Sequence, residues 1–172
     1  AAVAASDEAA VAAAAAKKKD EGSALFRKGE FASAAERYGA AIELTPNDHT
    51  LWGNRSLSHI KRGAWASAAR DAAKATELEP AFVKGWGRLV RARMELGQDD
   101  AAREALRTGL RLDVTNKELS KLAKELKTRA GAAAATAPAP GSGSAQRERP
   151  ESLTQNPEQA RIKEDVSAGE YV

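Results

Sequence analysis

The chain has 172 residues, enough for one ordinary domain with extensions, and carries 27 Lys and Arg against 24 Asp and Glu, a formal charge of +3. It has no cysteine, which excludes disulfides, thiol nucleophiles and thiolate metal ligands and fits a reducing compartment. No apolar run approaches the roughly 18 residues of a membrane span. Alanine crowds both ends, whereas the three tryptophans, the three phenylalanines and nearly all leucines fall between Leu25 and Leu126, so the foldable part lies there. Residues 131–172 hold four Lys and Arg against six Asp and Glu, so the basic excess belongs to residues 1–130. Such an excess suits an acidic peptide or a nucleic acid and does not choose between them.

Residues 1–14 are an alanine-rich extension, helix-prone and able to lengthen the first helix toward its N-terminus. Ala rather than Met at position 1 fits a fragment or a processed product, such as one left after removal of an organellar targeting segment. From there to Arg129 the sequence repeats itself. Ala34, Tyr38, Ala41, Leu44 and Pro46 return 34 residues on as Ala68, Ala72, Ala75, Leu78 and Pro80, and less completely as Ala102, Leu106, Gly109 and Leu112. Gly29, Gly63 and Gly97 keep the same step.

Apolar and small residues at helical spacing on both sides of each glycine predict a helical hairpin per unit. The first helices are expected at about residues 15–28, 48–62 and 82–96, and the second at 30–44, 64–78 and 99–112. Gly22, Ser56, Ala34, Ala68, Ala102, Ala41, Ala75 and Gly109 are the small positions where paired helices approach, with Phe31, Tyr38, Trp65 and Leu106 filling the gaps between repeats. The third unit departs from the pattern at Val90, Asp99 and Val114. A last helix is expected from Thr115 to about Arg129, with Thr115 and Glu118 at capping-box spacing and Leu119, Leu122, Ala123 and Leu126 on one stripe facing the third repeat. The organisation is thus an extension (1–14), three repeats (about 15–47, 48–81 and 82–114) and a capping helix (115–129). A flexible linker (131–145) and a polar tail (146–172) follow, the tail either disordered or docked on a partner.

The 34-residue period, the central glycine and the closing proline resemble the tetratricopeptide repeat (TPR), whose period and signature are a standard sequence example. The resemblance implies an all-α solenoid of helical hairpins with the first helix of each repeat on the inner, concave face. On those first helices lie Lys19 and Ser23, then Asn54, then Lys84 and Arg88. The strings Asn54-Arg55-Ser56 and Lys84-Gly85-Trp86-Gly87-Arg88 resemble the two-carboxylate clamp of co-chaperone TPR domains. Those domains use Lys and Asn, then Asn, then Lys and Arg, to hold a chaperone peptide ending Glu-Glu-Val-Asp. Lys19, Asn54, Lys84 and Arg88 match that pattern; Ser23 stands where the family has an asparagine that reaches the terminal carboxylate. The partner so implied is the acidic C-terminus of a heat-shock chaperone of the 70- or 90-kilodalton class, in the cytoplasm. Charge-assisted hydrogen bonds from such a groove contribute roughly 1.5 to 3 kcal/mol each.

No catalytic set stands out, and no cofactor or metal is expected. His49 and His59 lie ten residues apart on one helix, off a common face, and read as packing residues. Arg88, Arg91, Arg93, Arg103, Arg107 and Arg111 spread over several helix faces without the aromatic interleaving of an RNA platform, so nucleic acid is a minor alternative. The expected function is a peptide-binding adaptor and not an enzyme. The alternative is a scaffold subunit of a larger, organellar (for example plastid) complex with the groove unused.

Overall fold

A computed structural model describes residues 2–136 of the chain. Those residues form seven α-helices and no strand: α1 (Ala2–Arg27), α2 (Phe31–Leu44), α3 (His49–Lys61), α4 (Trp65–Leu78), α5 (Val83–Glu95), α6 (Asp99–Leu112) and α7 (Lys117–Thr136). The tail 146–172 and the linker beyond Thr136 lie outside the described residues. Each helix packs on the next in sequence, and α5 also meets both α3 and α7, so the first helices of successive hairpins form one face of an all-α solenoid.

Each hairpin turns on its glycine. Gly29, Gly63 and Gly97 have φ of 83°, 70° and 71°, a left-handed conformation that side chains with a Cβ resist. Past the turn, the small residues set the helix spacing. Ala34, Ala41, Ala68, Ala75 and Ala102 are fully buried, as is Ser56, whose Oγ donates to the Ala68 carbonyl at 2.8 Å. Tyr38 and Leu106 are buried where bulk is expected between repeats, while Phe31 and Trp65 stay half-buried. Pro46 and Pro80 close the second helices, and each offers its carbonyl to an indole six residues on: Trp52 Nε1 donates to Pro46 at 2.7 Å and Trp86 Nε1 to Pro80 at 2.9 Å. The third repeat has Val114 in that place, 77 % exposed.

The last helix departs from its sequence reading at both ends. Asn116, not Thr115, caps it: the Asn116 side-chain oxygen accepts from the backbone N–H groups of Glu118 and Leu119, both at 3.1 Å. Thr115 instead donates its hydroxyl to Asp113. At the other end α7 runs to Thr136, past Arg129 and through Gly131, because a run of alanine carries helical propensity that one glycine does not cancel. Leu119, Leu122 and Leu126 are buried together with Leu89, Val90, Met94 and Leu106, so the stripe does cover the third repeat. Val90 needs no small residue because it belongs to that cluster. Lys117, Lys121, Lys124 and Lys127 are exposed on the opposite side.

One buried ion pair braces α3 to α4. Arg55 donates Nε and Nη2 to the two Asp71 carboxylate oxygens at 2.7 and 2.8 Å, with Asp71 almost wholly buried and Arg55 also over the Trp52 ring at 4.8 Å. His59 Nε2 lies 3.6 Å from the same carboxylate. Burial nevertheless holds the His59 imidazole below its ordinary value, outweighing Asp71, which raises it; Arg55, Arg62 and Arg70 add to the lowering. The unfolded chain therefore takes up this proton at a higher pH than the folded one. Stability from this group is full above about pH 6.5 and declines as pH falls below it toward the depressed folded value.

Two predictions follow from this packing. Ala68→Leu forces a larger side chain into a contact with no free surface and is expected to destabilise by about 1–3 kcal/mol in denaturant unfolding. The melting temperature is expected to fall between about pH 7.5 and 5.5, and His59→Gln to flatten that part of the profile. A profile identical in the two proteins excludes His59 as its source.

Candidate functional site

The face made by α1, α3 and α5 carries the five residues singled out from the sequence. Lys19, on α1, reaches across to the start of α3, where its Nζ donates to Thr50 Oγ1 at 3.0 Å and lies 3.8 Å from Asp48 Oδ2. Asp48 is the N-cap of α3 and accepts from Thr50 N at 2.8 Å. Burial works to raise the Asp48 carboxyl, but hydrogen bonds from the Thr50 side chain and backbone, with the charges of Lys19 and His49, together hold it below its ordinary value. Asp48 is thus an anion at neutral pH beside Lys19.

Ser23 lies one turn after Lys19. Its Oγ donates to the Lys19 carbonyl at 2.9 Å and sits 3.1 Å from the Tyr38 hydroxyl. A serine has one proton to give, so the Tyr38 O–H is the donor in the second contact. Gly22 makes this approach possible, since a Cβ there would stand 3.0 Å from the Tyr38 ring. Ser23, Phe26, Arg27, Tyr38, Asn54 and Leu57 line a small cleft between α1, α2 and α3. Ser23 and Asn54 therefore share one cavity.

Arg88 crosses from α5 toward α3. Its guanidinium lies 5.7 Å from the Phe82 ring centroid, and a Cβ on Gly53 would stand 2.6 Å from Arg88 Nη1 and 2.8 Å from Phe82. Gly53 directly precedes Asn54, so the lack of a side chain at 53 admits Arg88 beside Asn54. Burial pushes the guanidinium below its ordinary value while Glu118 and Tyr38 pull it up; it remains charged at neutral pH. Nη1 is buried and has no hydrogen-bond partner among the described residues. A buried donor left this way costs about 1–3 kcal/mol, which a carboxylate could relieve. Lys84 is one helical turn before Arg88, exposed, and without a hydrogen bond or ion pair to any described residue.

The structure thus links Lys19 to Ser23 by a hydrogen bond and Ser23 to Asn54 by shared lining, and lays Arg88 against Gly53, the residue before Asn54, with Lys84 one helical turn from Arg88. Sequence reasoning missed Asp48, Thr50, Tyr38 and Glu118 as neighbours of these residues, and Gly53 and Phe82 as the surface on which Arg88 lies. Gly53 and Gly87, which directly precede Asn54 and Arg88, stand 34 residues apart, and this was the available signal. Among the described residues no cluster of three His, Cys, Asp or Glu could hold a metal, and no helix is long and apolar enough to cross a membrane.

A family profile described as tetratricopeptide repeat matches residues 59–126. The Hsp70-Hsp90 organizing protein of Triticum aestivum is 36% identical over 112 residues, covering 65% of this chain and 19% of that protein. The chain spans less than a fifth of the length of the curated relatives it matches most significantly. Among solved structures, the Sgt2 TPR domain from Aspergillus fumigatus aligns with a TM-score of 0.68 and 26% identity, over 74% of this chain and 85% of that one. The second TPR domain of human RPAP3, solved in complex with the HSP70 peptide SGPTIEEVD, aligns with a TM-score of 0.65 and 26% identity, over 70% and 98%.

Gly53 gives this site a direct test. Gly53→Ala is expected to destabilise, because overpacking against Arg88 and Phe82 costs about 1–3 kcal/mol and the helical preference of Ala returns only about 1. Gly39→Ala, where the nearest atom, Arg55 Nη1, stands at an ordinary contact distance of 3.4 Å, is expected to leave stability unchanged or raise it. Chemical denaturation of the two variants measures the contrast.

Proposed function

We propose that this tetratricopeptide-repeat chain is a co-chaperone-like adaptor whose first-helix face holds the acidic C-terminal peptide of a heat-shock chaperone. The observation that carries the reading is the convergence of Lys19, Asn54 and Arg88, with Lys84 one turn from Arg88, on a face where Arg88 has a buried donor without a partner. An acidic peptide supplies what such a face lacks. Its carboxylates accept from a Lys ammonium, an Arg guanidinium and an Asn amide.

The comparisons support the same ligand class. The human RPAP3 domain was solved with a peptide ending Glu-Glu-Val-Asp, and the wheat relative carries both chaperone classes in its name. The site residues Lys19, Ser23, Asn54, Lys84 and Arg88 are part of this proposal, as is a cytoplasmic setting, where such chaperones act. The role is binding and bridging rather than catalysis.

The reading is tested by fluorescence anisotropy with a labelled peptide ending Glu-Glu-Val-Asp. Lys84→Ala is expected to weaken binding by about 2 kcal/mol, roughly thirtyfold, and Arg88→Ala by about 2–4 kcal/mol. Lys84 is exposed, so its variant is expected to melt with the wild type. Affinity is also expected to fall markedly between about 0.1 and 1 M salt, as the screening length shrinks from about 10 to 3 Å. Unchanged affinity in both variants overturns the proposal and favours a scaffold that uses its outer face.

A further inference from the structure

The two ends of the groove differ in how far their donors are already engaged. At the repeat-one end Lys19, Ser23 and Tyr38 are each already engaged within the protein. Lys19 gives a hydrogen bond to Thr50 and faces Asp48; Ser23 gives its single proton to the Lys19 carbonyl; the Tyr38 hydroxyl gives its own to Ser23. At the repeat-three end Lys84 has no partner among the described residues, and Arg88 keeps a buried Nη1 unpaired.

A carboxylate arriving at Lys19 meets the Asp48 charge 3.8 Å away, which offsets part of the lysine's attraction, so less is gained there. Its arrival at Lys84 displaces no protein acceptor, and the Arg88 charge one turn on, shared with Glu118, adds to the attraction. We propose that the groove has one strong carboxylate site, at Lys84 and Arg88, and that Asp48 and Ser23 silence the other, so it accepts acidic segments without requiring a free chain end. This rests on the acidic-peptide reading and narrows it. A chain end offers two carboxylates on its last residue, whereas an internal segment offers one per side chain. One strong site is satisfied by either, and Asp48 is the residue that sets the selectivity.

The test compares one labelled peptide ending Glu-Glu-Val-Asp as the free acid and as the C-terminal amide, against the wild-type chain and three variants. The wild type is expected to bind the two forms within about fivefold of each other, and Lys19→Ala to change free-acid affinity by less than about fivefold. Asp48→Asn keeps an N-cap on α3 while removing the charge beside Lys19. It is expected to tighten the free acid more than the amide and so widen the ratio beyond about fivefold. Ser23→Asn, which adds an amide donor, is expected to move the ratio the same way. A wild-type ratio above about fivefold, or a ratio that neither variant widens, overturns the single-site inference while leaving the acidic-peptide reading in place. Failure of the wild type to bind either form removes that reading, and this inference with it.

Discussion

Close approach of paired helices at alanine is the constraint on which the rest of the molecule depends. Ala34, Ala68 and Ala102, one per hairpin and 34 residues apart, have no exposed surface, and the backbones beside them come near enough for Ser56 to reach the Ala68 carbonyl. That spacing fixes how far each hairpin stands from the next. It also decides which residues of α1, α3 and α5 can meet across the face they share. Were the hairpins wider, Arg88 would not lie against Gly53, nor Lys19 against Thr50.

Charge on this face follows from the same geometry. A glycine precedes each of Ser23, Asn54 and Arg88, the last two at the 34-residue step, and in each case a bulky or charged side chain from elsewhere occupies the space so left: Tyr38 at Gly22, Arg88 and Phe82 at Gly53, Glu118 and Leu119 at Gly87. The groove is consequently wired from one repeat to the next. Tyr38 and Glu118 both act on Arg88, and Asp48 acts on Lys19, so neither of these groove cations is set by its own helix alone. Lys84 is the exception, and its freedom is what gives the groove an uneven grip on anions.

The fold was readable in the sequence because its determinants are periodic. The glycines at 29, 63 and 97 mark turns that require positive φ, and the small residues recur at the same step, so register and hairpin order follow without knowledge of any contact. The site was readable only as residue types on helix faces. What could not be read were pairings across repeats: Arg55 with Asp71, Arg91 with Glu125 at 2.8 Å, and Arg129 with the Met94 carbonyl, which depend on where long side chains end rather than where they start. The cap of α7 failed for a related reason. Thr115 has the spacing of a capping residue, yet neighbouring Asn116 does the capping while Thr115 turns back to Asp113, a competition that local sequence leaves even.

Trp52 and Trp86 each tie a first helix to the loop before it through an indole N–H to a proline carbonyl, again at the 34-residue step. The next equivalent positions are Ser120 and Val114, and the tie is missing there. Solenoids lose order by neighbouring units rather than all at once. The two indoles therefore sit at the joints between the first and second and between the second and third hairpins, and the joint ahead of α7 has none. The chain carries an internal optical gauge: with Trp65 replaced and one of the two anchoring indoles removed, the emission of the other would time the opening of its own joint.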